Sequence, residues 1–300
     1  MRKLLLPCCL LATLLIGTTA TAESPTQLAR LDANSQPQRP LQADIWKGLN
    51  PRKLKLRSAS ALILDQSGNE VYARDVDKPQ PIASITKLMT AMVILDAAVP
   101  LHEKIVITKD DRDLIRLTGS RLKYGATLTR EELVRLALMA SENRAANALA
   151  RTYPNGKQAF VAAMNRKAEA LGMATSRFTD PAGLDAGNVA SARDVAKMVR
   201  AARGYPLIRQ ATTTSSMSVR PWKGRGELRF GNTNRLLKNS AWDIELSKTG
   251  YINEAGRCLV MQAEIADQEL VIVLLNSFGK LTPFGDSNRI RQWIERGIDG

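Results

Sequence analysis

The sequence predicts an α+β fold: one antiparallel sheet assembled from both ends of the chain, covered by helices, with a mainly helical lobe over about 101–205. Three observations carry that expectation. Short apolar runs separated by turn residues open and close the ordered part of the chain. A block of segments with helical spacing lies between them. An amphipathic stretch with a capping residue ends the chain.

Ser60 to Asp65 and Glu70 to Ala73 are apolar-weighted runs on either side of Gln66-Ser67-Gly68-Asn69, a hairpin signature. Pro79 and Pro81 then interrupt the chain. From Ser84 to Ala98, Leu88, Met89, Met92, Val93 and Leu95 share a helical face, and Pro100 closes the segment. A polar stretch with a turn at Leu117-Thr118-Gly119-Ser120 runs to Leu128. Thr129 and Glu132 form a capping box for a helix to about Ala140. Further helices are expected from Arg144, from about Lys157 to Leu171, and from Ser191 to near Gly204. Beyond Pro206 the period changes. Ile244 to Leu246, Cys258 to Ile265 and Leu270 to Leu275 read as strands, the first two joined by a turn at Asn253-Glu254-Ala255-Gly256. Asp286 is placed to cap a last helix through about Ile298.

The first 22 residues have the layout of a secretory signal peptide: Arg2 and Lys3, an apolar run from Leu4 to Ile16, and the small-x-small site Ala20-Thr21-Ala22. That run is shorter than the roughly 20 residues a spanning helix requires. Residues 23–50 are rich in Gln, Pro, Ser and Ala and read as a flexible linker, which leaves 51–300 as the folded domain. Cleavage removes Cys8 and Cys9, so Cys258 alone remains and no intramolecular disulfide is expected. Its apolar strand marks it as a core thiol.

The chain has 43 Lys and Arg against 29 Asp and Glu, a net charge of +14 that becomes +12 once the signal leaves. In an exported, periplasmic protein that charge meets membrane surfaces and carboxylate-rich cell wall rather than nucleic acid. The last helix sets Arg289, Arg291 and Arg296 beside Ile290, Trp293 and Ile294, a pattern of a core-covering helix with at most peripheral membrane contact. One histidine, His102, and one cysteine make no zinc site, and no cofactor is expected.

Three strings bear chemistry: Ser84-Ile85-Thr86-Lys87, Ser141-Glu142-Asn143 and Lys248-Thr249-Gly250. The S-x-x-K pattern also occurs at Ser120/Lys123, in a loop, and at Ser277/Lys280, in a glycine-containing turn. Only Ser84 stands at a helix start, where a spacing of three stacks its side chain with that of Lys87. Exposed N–H groups and the helix dipole there favour an oxyanion. Lys248-Thr249-Gly250 ends a strand, and Gly250 leaves room for a substrate backbone at the sheet edge.

The residue types fit acyl transfer. A serine hydroxyl is a poor nucleophile until a base removes its proton. Lysine is such a base only when neutral, and burial or a second cation lowers its pKa. Lys87 is therefore expected as the base for Ser84, with Lys248 as the second cation and the holder of a substrate carboxylate. Ser141 is expected to relay the proton to the leaving amine, Asn143 to meet a substrate amide, and the Thr249 hydroxyl to meet the carboxylate.

In this order the motifs resemble those of the penicillin-recognising serine acyltransferases, a motif set associated with class A β-lactamases and penicillin-binding proteins. Pro81-Ile82-Ala83-Ser84 through Met92, Gly183-Leu184-Asp185 with Ser191-Ala192-Arg193-Asp194, and Asn232-Thr233-Asn234-Arg235-Leu236-Leu237 narrow the likeness. From about Ser58 to Ile298 the chain is similar to the low-molecular-mass penicillin-binding proteins of the D-alanyl-D-alanine carboxypeptidase/endopeptidase family. Ala140-Ser141-Glu142-Asn143-Arg144-Ala145-Ala146 and Lys248-Thr249-Gly250-Tyr251 look most like its endopeptidase members. The resemblance implies a β-lactamase/transpeptidase-like fold and an oxyanion hole from the backbone N–H groups of Ser84 and Tyr251. It implies cleavage of D-alanyl cross-links in peptidoglycan through an acyl-enzyme on Ser84, with β-lactam antibiotics as inhibitors. Many relatives carry Thr where this chain has Ile252, so a polar substrate contact there is in question.

Only 50 residues follow Gly250, whereas the carboxypeptidases of this family usually continue into a further β-rich domain. Removal of a terminal D-alanine is thus the second reading. A class A β-lactamase, with Asp180-Pro181 in a deacylating loop, and a catalytically silent wall-binding protein are further alternatives.

Overall fold

Sheet strands at the two ends of the folded chain meet as neighbours, because each is apolar on both faces and needs cover on both. In the computed structural model, which describes residues 45–224 and 226–298, β1 (Ser58–Asp65) and β2 (Glu70–Arg74) form the first hairpin. β3 (Asp243–Ile252), β4 (Gly256–Ile265) and β5 (Gln268–Ser277) follow near the C-terminus. The antiparallel order is β2-β1-β5-β4-β3, so β1 pairs with β5 and β3 is an edge. The signal peptide and residues 23–44 of the expected linker lie outside the described residues.

Alternation along the strands sends side chains to two cores. Leu62, Leu64, Val273, Leu275 and Val260 face the larger, helical one. Ala61, Ile63, Ile272, Leu274 and Leu259 face a smaller one closed by Ile290, Trp293 and Ile294 of α7 (Thr282–Ile298). Full burial of each of the Val, Leu and Ile side chains among these is worth about 1.5–3 kcal/mol. β4 and β5 are joined through Ala266 and Asp267, both at positive φ, as a tight primed hairpin turn demands.

The helical layer holds α1 (Lys87–Asp96), α2 (Arg130–Met139), α3 (Asn143–Arg151), α4 (Gly156–Ala170), α5 (Ala192–Arg203) and α6 (Pro206–Thr213). The Thr129–Glu132 capping box opens α2 as the sequence predicts, the Thr129 hydroxyl accepting from Glu132 N–H at 3.1 Å. α1 is buried almost throughout and packs against α2, α3, α4 and α5. Its apolar residues therefore surround it rather than forming a stripe.

Four expectations are corrected. Residues 45–50 pack on the domain instead of ending a linker: Trp46 Nε1 donates to Asp65 at 3.2 Å, and Trp293 Nε1 donates to the Asn50 carbonyl at 3.0 Å. α5, placed by sequence in the helical lobe, lies against β1 and β5, and α6 extends the helical run beyond Pro206 to pack on α2 and β3. The Ser84 segment begins as a 3-10 turn, Ala83–Thr86, before α1. The last helix starts at Thr282, not Asp286. Asp286 is instead fully buried and accepts from Arg57 N–H at 3.0 Å, Ser58 N–H at 2.7 Å and Ser58 Oγ at 2.6 Å.

Candidate active site

The 3-10 turn that carries Ser84 is wedged between the edge strand β3 and a loop spanning 180–188. A Cβ on Gly250 would lie 2.9 Å from the Ile82 carbonyl oxygen and 3.1 Å from Ser84 N, so only glycine lets β3 approach the turn so closely. From the other side, a Cβ on Gly183 would lie 1.9 Å from the Ala83 carbonyl oxygen. Ala83 itself is left-handed, φ +49°. Strain of this kind is kept only where the surroundings over-determine it.

One helical turn past Ser84, Lys87 points back to it. Its Nζ lies 2.7 Å from Ser84 Oγ, 2.8 Å from Asn143 Oδ1 and 2.5 Å from the Ala182 carbonyl oxygen, which also accepts from Ser84 Oγ at 3.3 Å. Lys87 is 0 % exposed. Burial brings its pKa down from 10.5 to about 7, against the opposing pull of Asp180, Glu142 and Asp113.

α2 ends at Met139, and Ser141 then turns the chain into α3 with φ +57°, a position that usually belongs to glycine. The Glu142 side chain caps α3, accepting from Arg144 N–H at 3.1 Å. Asn143, first in α3, donates from Nδ2 to Thr118 Oγ1 at 2.9 Å. Thr118 Oγ1 donates in turn to Asp113 at 2.6 Å. Burial would raise the Asp113 carboxyl, but N–H donors from Arg116, Thr118 and Ile115 and the Thr118 hydroxyl hold it below the usual range.

β3 brings the third motif. Lys248 is 1 % exposed and donates to Ser141 Oγ at 3.0 Å and to the Thr249 carbonyl at 2.8 Å. Burial first, and the nearby Lys87 second, hold its pKa well below normal. Thr249 Oγ1 donates to Thr233 Oγ1 at 2.7 Å. Tyr251 follows Gly250 on the same edge strand, its ring exposed and its hydroxyl donating to Asn253 Oδ1 at 2.9 Å. Ile252 is buried yet lines the cleft.

Ser84, Ser141, Asn143, Thr249, Gly250 and Tyr251 thus line one cleft of about 720 Å³, with Lys87 and Lys248 buried beside it. A hydroxyl hydrogen-bonded to a buried, readily neutralised amine can be deprotonated and can attack a carbonyl. Neither rejected serine has such a partner: Ser277 Oγ pairs with Ser58 Oγ at 2.6 Å, and Ser120 Oγ accepts from Leu122 N–H at 3.0 Å. Cys258 is buried, which pushes its thiol up to about 12.

The sequence did not single out Thr118, Asp113 or the Ala182 carbonyl. Asp180 shapes the loop that presents that carbonyl, accepting from the N–H groups of Ala182 at 2.6 Å, Gly183 at 2.8 Å, Leu184 at 3.1 Å and Asp185 at 2.8 Å. The Asp-Pro-x-Gly spacing of residues 180–183 is the one signal that could have marked this turn.

Residues 47–279 match the protein family described as D-alanyl-D-alanine carboxypeptidase, Peptidase S11. The chain is 47% identical over 248 residues to the D-alanyl-D-alanine endopeptidase of Pseudomonas aeruginosa, covering 82% of this chain and 80% of that one. It is 44% identical over 244 residues to the D-alanyl-D-alanine endopeptidase of Escherichia coli, with 81% and 79% covered. Among solved structures, the D-alanyl-D-alanine carboxypeptidase of Mycobacterium tuberculosis superposes with a TM-score of 0.71 at 28% identity, over 80% of this chain and 91% of that one. A Streptomyces DD-transpeptidase shares the fold, with a TM-score of 0.73 at 24% identity over 81% and 98% of the two chains. With the family match spanning most of the sequence, and its three motifs gathered around one cleft, the chain belongs to the Peptidase S11 family.

Proposed function

We propose that this chain is a serine D,D-endopeptidase that opens D-alanyl cross-links in peptidoglycan through an ester on Ser84. The observation that carries the reading is the 2.7 Å contact between Ser84 Oγ and a fully buried Lys87. Neutral Lys87 takes the Ser84 proton as Oγ bonds to the D-alanyl carbonyl carbon. The backbone N–H groups of Ser84 and Tyr251 are the donors assigned to the oxyanion. The C–N bond then breaks, and the leaving amine takes a proton through Ser141, which sits against Lys248. Water hydrolyses the ester and frees Ser84. Lys248 and Thr249 hold the carboxylate beside the scissile amide, and Asn143 meets the substrate amide.

The names of the Pseudomonas and Escherichia relatives support endopeptidase over carboxypeptidase action. β-Lactams would acylate Ser84 in the same way. Periplasmic export through residues 1–22 belongs to the same proposal, as does at most peripheral membrane contact.

Digestion of purified sacculi tests it. Cross-linked dimers should disappear, and Ser84→Ala should abolish both that loss and labelling by penicillin. Release of terminal alanine alone would replace the reading with a carboxypeptidase. Rapid release of hydrolysed drug would replace it with a β-lactamase.

A further inference from the structure

The cleft holds more positive charge than the proposed reaction uses. Arg116, Arg235, Arg257 and Lys280 line it, and among the described residues no aspartate or glutamate does. Arg116 is answered by Glu254 at 2.6 Å from just outside the lining. Arg235, Arg257 and Lys280 have no carboxylate partner among the described residues.

The placement of Arg257 is set by strand register. Thr249 lies opposite Leu259, and Tyr251 opposite Arg257. Leu259 belongs to the core under α7, so Thr249, Tyr251 and Arg257 share the α7 face of the sheet. Lys280 joins them from the link between β5 and α7, where Pro283 and Phe284 also line the cleft. Arg235 follows Thr233, whose hydroxyl bonds Thr249. The three cations therefore line the same cleft as Thr249, where the carboxylate next to the scissile amide is proposed to sit, and Arg257 shares the sheet face of Thr249.

Arg257 is held for use. Its guanidinium lies 3.6 Å above the Tyr251 ring, an arrangement that fixes the plane while leaving its N–H edges free for a bidentate acceptor. A departing D-alanine has a single carboxylate, and Lys248 with Thr249 accounts for it. A departing peptide stem carries further free carboxylates past the cleaved bond.

Resting on the D,D-peptidase reading, we propose that Arg257, stacked on Tyr251 in a cleft that Lys280 and Arg235 also line, forms a second anion subsite for a distal carboxylate of the leaving stem. The subsite selects cross-linked stems over single stems.

The test compares two defined substrates on the purified protein: a peptide dimer joined through a D-alanyl amide, and a single stem ending in D-alanyl-D-alanine. The dimer-to-single ratio of kcat/KM should fall roughly tenfold in Arg257→Gln, with part of it restored in Arg257→Lys. Amidating the distal carboxylates of the dimer should cost the wild type a similar factor, a measurement that does not depend on how the variants fold. An unchanged ratio, an equal loss on both substrates, or indifference of the wild type to amidation each overturns the subsite while leaving D,D-peptidase action intact. A wild type that takes penicillin on Ser84 but cleaves neither substrate overturns the enzymatic reading and the subsite with it.

Discussion

The amine of Lys248 lies 3.0 Å from the hydroxyl of Ser141, a residue 107 positions earlier in the chain. Both groups are awkward for their surroundings. Lys248 is a buried cation whose second contact is a backbone carbonyl, and Ser141 holds a left-handed backbone. Such costs persist where a site needs fixed polar groups more than the fold needs stability.

Ser141→Gly separates the two demands. Removing a non-glycine residue from φ +57° should raise unfolding free energy by up to about 1 kcal/mol, part of the gain being offset by the entropy of the new glycine. Acyl transfer should slow by about 100-fold, because the hydroxyl beside Lys248 is gone. Urea unfolding and single-turnover acylation check the two halves.

The acylation rate should climb as pH passes about 7, the value to which burial brings Lys87. Below it the neutral fraction, and hence the rate, falls about tenfold per pH unit. The same shift has a stability consequence. The unfolded chain binds the Lys87 proton up to about 10.5 and the folded chain only up to about 7. Between those values the unfolded state holds more protons, so this lysine makes stability rise with pH and adds no slope below the window. Denaturant midpoints between neutral and alkaline pH should rise less steeply in Lys87→Met than in the wild type. A stopped-flow acylation profile that is flat around neutrality would remove Lys87 as the base.

Gly183→Ala should cost about 3 kcal/mol or more, since the added Cβ meets the Ala83 carbonyl at 1.9 Å and the backbone is at φ +73°. The clash bears on the residue next to Ser84, so penicillin labelling should fall in the fraction that still folds. Thermal unfolding with and without a bound β-lactam measures both effects.

What the sequence conveyed was the part written in local spacing. The Ser84–Lys87 pair is one helical turn, and the Thr129–Glu132 box is another, so both could be found from their intervals. Tertiary neighbours were not visible. The Ala182 carbonyl reaches Lys87 from 95 residues away, and a carbonyl leaves no mark in a sequence. Asp286 has the look of a helix cap, yet it accepts from the backbone N–H groups of Arg57 and Ser58 far away in the chain, as well as from the Ser58 hydroxyl and Arg289. The motif triplet marked β3 as part of the site and Gly250 pointed to a sheet edge, but the strand order that leaves β3 outermost came only with the pairing of β1 with β5.

Asp180 is expected to act on the reaction without touching substrate. Its carboxylate gathers four successive N–H groups and so aims the Ala182 carbonyl at Lys87 and Ser84. It is also one of the negative charges that hold the Lys87 pKa up, with Glu142 and Asp113, against the lowering by burial. Asp180→Asn should therefore do two separable things. The loosened carbonyl should lower the plateau acylation rate by up to about 100-fold. The lost charge should move the acid limb of the pH profile to lower pH, because the neutral amine then persists further down. A purely structural role would reduce the plateau and leave the limb in place, so the full profile of the variant, rather than its rate at one pH, decides between them.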